Sequence, residues 1–71
     1  MTWGQIQQII EKDLGIPAKR AYNFTKMFKK EFKGFKESIK DIKASYTDDG
    51  YVCIEYQINK NTRSLIIKKE N

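Results

Sequence analysis

The spacing of large apolar residues between Ala18 and Lys43 restricts the fold of this chain more than any other feature. They recur in steps of 4, 4, 3, 4 and 3, at Phe24, Phe28, Phe32, Phe35, Ile39 and Ile42. One face of an α-helix with about 3.6 residues per turn has this spacing. The pattern therefore predicts a long amphipathic helix that begins near Pro17 and continues to about Lys43. At about 1.5 Å per residue, such a helix would be roughly 39 Å long.

Gly34 is the weak point of this predicted helix, because glycine in a helix interior costs about 1 kcal/mol relative to alanine. Two interpretations compete. One is a continuous helix, and the other is a break at Gly34 followed by a short third helix. The apolar residues on both sides of Gly34 stay in phase on one helix face. We therefore favour the continuous helix.

The N-terminal segment predicts a shorter first helix, from Thr2 to Leu14. Its apolar face has steps of 3, 4 and 4, at Trp3, Ile6, Ile10 and Leu14. Thr2 with Gln5 forms a capping-box pattern, and Gly15 stands where a left-handed C-cap residue is expected. Pro17 ends the first helix and suits the first turn of the second. The short link between them predicts a helical hairpin.

Beyond Lys43 the period of the pattern changes to two, which is typical of strands. Residues 44 to 47 alternate, and Asp48-Asp49-Gly50 is a strong signal for a tight hairpin turn. Residues 51 to 58 predict a strand with one wet face. The residues expected on its core side are Val52, Ile54, Tyr56 and Ile58.

A second turn at residues 59 to 62 leads to the last predicted strand, from Arg63 to Lys69, with Leu65 and Ile67 facing the core. The order is therefore helix, helix and a two- or three-stranded antiparallel meander. This order predicts an α+β fold in which the helical hairpin packs on one face of the sheet. A chain of 71 residues is expected to form one domain, residues 1 to 71.

The positive charge of the chain is concentrated on the predicted long helix. The formal net charge is +5, and the segment from Ala18 to Lys43 carries nine basic and three acidic residues, a net of +6. Clustered positive charge favours an acidic partner, such as nucleic acid or an acidic protein. A solvated lysine face without a partner is the alternative that charge alone leaves open. The candidate nucleic-acid-binding residues are Lys19, Arg20, Lys26, Lys29, Lys30, Lys33, Lys36 and Lys40.

The residue types on this face indicate contacts to phosphate rather than to bases. Lysine binds phosphates, whereas base-specific readout usually uses arginine, asparagine or glutamine. We therefore expect a small accessory or regulatory protein that binds nucleic acid without sequence specificity. The alternative is a protein–protein interaction module, an adaptor or inhibitor, which uses the aromatic stripe or the outer face of the sheet. Self-association as a homodimer would also stabilise so small a domain.

Several chemistries lack the residues they need. The chain has no histidine, the commonest general acid or base, and its one cysteine, Cys53, therefore has no histidine to activate it. We predict no enzyme activity, no cofactor and no metal site. The single cysteine and the lack of an apolar run of about 18 residues predict a cytoplasmic protein without a membrane span. The small size and the lysine- and isoleucine-rich composition favour an origin in a phage or mobile element.

Overall fold

The computed structural model describes residues 1 to 67. They form two α-helices, α1 (Trp3–Leu14) and α2 (Ala18–Glu31), and three strands, β1 (Ile39–Tyr46), β2 (Val52–Ile58) and β3 (Asn61–Ile67). The strands make one antiparallel sheet in the order β1-β2-β3. The helices contact each other, and they cover the sheet with α1 against β1 and α2 against β3. The predicted α+β fold is confirmed, with three strands in the meander.

Local signals fix α1 at both ends. The hydroxyl of Thr2 accepts a hydrogen bond from the N–H of Gln5 at 3.1 Å, and the Gln5 side chain accepts one from the N–H of Thr2 at 2.9 Å. Gly15 takes the left-handed conformation, with φ 64°, and its N–H donates to the carbonyl of Glu11. The predicted capping box and glycine C-cap are therefore confirmed, and α2 begins three residues later.

The prediction that the second helix continues to Lys43 is wrong. The helix ends at Glu31, Phe32 is extended with ψ 124°, and Gly34 has φ 150°. A Cβ at Gly34 would lie 3.3 Å from Cζ of Phe32, whose ring folds back over the glycine. Within residues 1 to 67 no third α-helix follows the break, and residues 36 to 38 form a single 3-10 turn.

A β-bulge explains why the segment after Gly34 has helical spacing. Ile39 and Ile42 are three residues apart, a step that would place them on opposite faces of a regular strand. The register of β1 against β2 shifts between Ile39 and Asp41. The extra residue turns both isoleucines toward the helices, and each is buried. The first strand therefore begins at Ile39 rather than after Lys43.

The core is formed by both helices and the inner face of the sheet. The largest fully buried side chains are Phe24, Phe28, Ile6, Ile10, Ile54 and Val52. Around Phe28, the rings of Phe32 and Tyr56 have centroids 5.4 and 5.5 Å away, and that of Trp3 lies at 6.0 Å. The first part of the predicted aromatic stripe is thus in the core. Phe35, also predicted there, is 77% exposed.

The second hairpin and the outer face follow the predicted alternation. Asn59 and Lys60 both have positive φ, 49° and 69°, which matches the right-handed twist of a two-residue hairpin. On β3, Leu65 and Ile67 face the helices, while Ile66 is 57% exposed on the opposite face. The predicted end of this strand at Lys69 lies outside the described residues.

The two edge strands of the sheet, β1 and β3, differ in how their outward backbone N–H groups are covered. On β1 the backbone N–H of Ala44 donates to a carboxylate oxygen of Asp13 at 3.0 Å, so α1 satisfies an outward-facing donor of this edge. The N–H of Ile42 donates to the Asp41 side chain at 2.9 Å. Such cover prevents an edge strand from pairing with another chain. Beside β3, the α2 residues Met27, Lys30 and Glu31 line a groove with Ile66 and Ile67. The hydrogen bonds described within residues 1 to 67 include no carboxylate bound to an outward N–H of this strand.

Candidate nucleic-acid interface

Helix α2 presents a row of lysines on the side away from its buried residues. Ala21, Phe24, Thr25 and Phe28 are buried, and they fill the side that faces the core. Offsets of three and four residues place side chains on one side of a helix. By this rule the exposed residues on the solvent side of α2 form one row, namely Lys19, Tyr22, Lys26, Lys29 and Lys30. Lys26 and Lys29 lie at its edge toward α1, beside Trp3, whereas Lys30 lies at its edge toward β3, beside Met27 and Ile66.

The other candidate residues are dispersed because the predicted helix is broken. Lys33 lies in the loop after α2, Lys36 in the 3-10 turn and Lys40 on β1. Arg20 is on α2, but its offsets of 7 and 11 residues place it on the flank of Met27 and Glu31, toward β3. The structure therefore brings together the lysines of α2 and leaves Arg20 and Lys40 outside the row.

Two of these lysines lie over aromatic rings. The ammonium nitrogen of Lys29 is 5.7 Å from the ring centre of Trp3, and that of Lys26 is 5.7 Å from the ring centre of Tyr22. Contacts of this kind at exposed sites contribute about 0.5 to 1 kcal/mol each. Tyr22 is 52% exposed, so its lysine is held loosely and its ring is open to other groups.

A groove between the two helices contains both rings. Trp3, Gly4 and Gln7 line it from α1, and Tyr22, Lys26 and Lys29 from α2, around about 150 Å³ of open space. Trp3 is anchored from below, since its ring meets those of Phe28 and Phe32 edge-on. Small-molecule pockets usually enclose about 300 to 1,000 Å³. The groove is therefore too small for a whole drug-sized ligand and suits one planar group of a larger molecule.

The loop after α2 adds charge beside the start of α1. The nitrogen of Met1 donates to the carbonyl of Lys36 at 3.0 Å, which ties the loop to this end of the helical hairpin. Lys36 contributes less charge than its neighbours, because it pairs with the carboxylate of Glu37 at 3.1 Å. Hydrogen bonds from the backbone at Glu37 and from Lys36 lower the pKa of Glu37.

Sequence reasoning predicted the lysines of this candidate site but not its rings. Trp3 was expected on the apolar face of α1, where it does pack, and nothing in the sequence showed that it would also face a groove. Tyr22 gave the better signal, as it lies off the aromatic stripe and among the lysines. Phe35 was expected in the core because the helix was expected to continue, and it is exposed because the helix does not.

Two other kinds of site were sought in the described part of the chain, a metal cluster and a membrane-spanning helix. In residues 1 to 67, no three histidine, cysteine, aspartate or glutamate side chains come together as a metal site. Neither α1 nor α2, the helices of the described region, has the length and apolar character that a membrane span requires. Cys53 is half-buried on β2.

Comparison with protein-family models, with curated proteins and with solved structures finds no match for this chain.

Proposed function

We propose that this protein binds nucleic acid through the lysine row of α2 and the groove beside it, as an accessory or regulatory factor without sequence specificity. One observation carries the proposal: Lys19, Lys26, Lys29 and Lys30 share the exposed side of one helix, and the rings of Tyr22 and Trp3 lie beside Lys26 and Lys29. A lysine row that is merely solvated does not need aromatic rings beside it, whereas nucleic acid uses both groups.

The expected contacts are mainly to phosphate. Helix α2 carries five basic residues and one acidic residue, a net of +4 over 14 residues. Neutralising phosphates releases bound counterions, which makes the affinity fall as salt rises. The row has no arginine, so the bidentate contact with guanine that many sequence-specific proteins use is not expected from it. The proposed binding is therefore tuned by salt rather than by base sequence.

A charge-removal experiment tests this proposal. Fluorescence anisotropy of a labelled oligonucleotide is measured from about 50 to 200 mM salt, the range over which phosphate contacts are most visible. We expect the triple variant Lys26→Gln, Lys29→Gln and Lys30→Gln to bind at least about tenfold more weakly at low salt. The slope of log affinity against log salt should decrease by about 2 to 3, since three phosphate contacts are lost.

The matched control removes the same charge elsewhere. Lys12, Lys43 and Lys60 are exposed and lie on α1, β1 and the second hairpin turn. Replacing these three by glutamine should change the affinity by less than about threefold, because only the general charge of the molecule is altered. Equal losses in the two triple variants would contradict a site on α2. No binding of any nucleic acid at about 50 mM salt would overturn the proposal.

A second candidate function is protein interaction, and the difference between the two sheet edges favours it. Edge β1 is covered by the carboxylates of Asp13 and Asp41, while β3 carries Ile66, 57% exposed. An open edge strand binds another strand by extending the sheet. The partner proposed for this edge is a second copy of the chain. The aromatic stripe is a poor interface by comparison, since Phe24, Phe28 and Phe32 are buried.

A further inference from the structure

The groove between α1 and α2 has the two elements that hold an unpaired nucleobase. Two aromatic rings, those of Trp3 and Tyr22, line it, and the ammonium groups of Lys26 and Lys29 lie over their faces at 5.7 Å. Aromatic ring faces that attract a cation can also stack with a base, and lysine ammonium groups are common ligands of phosphate.

We propose that the protein prefers single-stranded nucleic acid, with one base stacked in this groove and its flanking phosphates held by Lys26 and Lys29. The inference rests on the proposed nucleic-acid binding and adds the form of the ligand. In the free protein the lysines cover the rings. In the complex Lys26 and Lys29 each move from a ring to a phosphate, and the base stacks on the ring surface that they uncover.

The preference for single strands follows from what a duplex exposes. Bases in a duplex are stacked on one another, so their faces are not available to a protein ring unless a base is flipped out. A duplex would therefore reach the lysines of α2 but not the groove. A single strand can contact both the lysines and the groove, because its bases are unstacked and therefore available to stack on aromatic side chains. The groove, at about 150 Å³, admits one such base at a time.

Trp3 makes the inference directly measurable, since it is the one tryptophan in the sequence. Its emission is followed while an oligothymidylate of about 10 nucleotides, a length within the range bound by single-strand modules, is added at low salt. A duplex of equal length is the comparison. We expect quenching that follows the binding curve with the single strand and little change with the duplex. We also expect tighter binding of the single strand.

Two variants separate stacking from charge. Tyr22→Ala should weaken binding of the oligothymidylate about tenfold or more and leave the duplex nearly unaffected. Tyr46→Ala is the matched control, because Tyr46 is 50% exposed against 52% for Tyr22 and lies on β1, outside the groove. Its affinity for either form should equal that of the unchanged protein.

Gly4→Leu provides a test that does not depend on removing a contact. A Cβ at Gly4 meets only the Thr2 hydroxyl oxygen, at 3.9 Å, and leucine favours a helix more than glycine does. The variant should fold normally, fill the groove and lose the single-strand preference while retaining duplex binding.

Equal affinity for both forms in the unchanged protein, with Trp3 emission unaltered, would overturn this inference. If the lysine variants still weakened binding, the proposed function would stand without it. Binding of neither form would remove both.

Discussion

At position 34 the backbone has φ 150°, a conformation that residues with a Cβ rarely adopt. The ring of Phe32 lies over this glycine, and a Cβ there would be 3.3 Å from its Cζ. Phe32 itself is buried and stacks on Phe28. The end of α2 therefore depends on two residues. Gly34 permits the turn, and the turn brings the ring of Phe32 back into the core.

Replacing Gly34 by alanine should destabilise the protein by about 1 to 3 kcal/mol, because the new Cβ is strained at this φ and crowds the Phe32 ring. The measurement is urea denaturation followed by circular dichroism. Gly4→Ala is the matched control, as it adds the same methyl group inside α1 with its nearest contact at 3.9 Å. That variant should be neutral or stabilised by up to about 1 kcal/mol. A loss of the same size in both variants would contradict the proposed strain at position 34.

At the scale of the elements, those with local signals could be predicted from the sequence. Helix α1 has its capping box and glycine C-cap, and β2 has strict alternation between turn signals. The boundary between α2 and β1 could not be predicted, because the bulge gives Ile39 and Ile42 a helical spacing inside a strand. Gly34 was the signal for a helix end, but glycine costs a helix only about 1 kcal/mol. That cost was too small to outweigh the four apolar residues at helical spacing, Phe32, Phe35, Ile39 and Ile42.

The candidate site was predictable to a smaller degree. The α2 lysines Lys19, Lys26, Lys29 and Lys30 lie on the exposed side of one helix, as a helix from Pro17 requires. Lys33, Lys36 and Lys40 were expected on the same face only because the helix was expected to continue through them. The groove could not be predicted, since it depends on how α1 crosses α2, and that crossing is set by core packing rather than by local sequence.

The two edge strands lead to the next prediction. In a two-residue hairpin the pair of residues that closes the turn, here Ile58 and Asn61, is hydrogen-bonded. Along the two strands, hydrogen-bonded pairs then alternate with pairs that are not hydrogen-bonded to each other. On β3 the N–H groups of Thr62, Ser64 and Ile66 consequently point away from β2. The equivalent donor at Ala44 on β1 is bound by Asp13. The open side of β3 is thus the edge on which a second copy would add its own β3.

We expect the protein to dimerise reversibly at high concentration, as measured by sedimentation velocity. Ser64→Pro should abolish the dimer, because proline removes an outward N–H, and it should leave the monomer folded, since edge strands tolerate proline there. Leu65→Pro is the contrasting variant: its N–H belongs to the β2 ladder, and its loss should unfold the sheet. A protein that remains monomeric at all concentrations, with or without proline at position 64, would end this candidate function.

At the scale of the whole molecule, one aromatic cluster links the two helices to the sheet. The free energy of unfolding of a domain is about 0.05 to 0.15 kcal/mol per residue, which for a chain of this size is roughly 4 to 10 kcal/mol in total. No disulfide contributes, as Cys53 is the sole cysteine. Phe28 is fully buried and meets the rings of Trp3, Phe32 and Tyr56, so it joins both helices to the sheet.

The contrast between Phe28 and Phe35 tests the architecture as a whole. Phe28→Ala should cost about 3 to 5 kcal/mol through the cavity it leaves, a large part of the total, so the variant should be partly or wholly unfolded at 25 °C. Phe35→Ala should change stability by less than about 0.5 kcal/mol, because its ring is 77% exposed. Thermal unfolding by circular dichroism measures both. Comparable losses would mean that both rings share one buried helix face, and hence that α2 continues past Gly34.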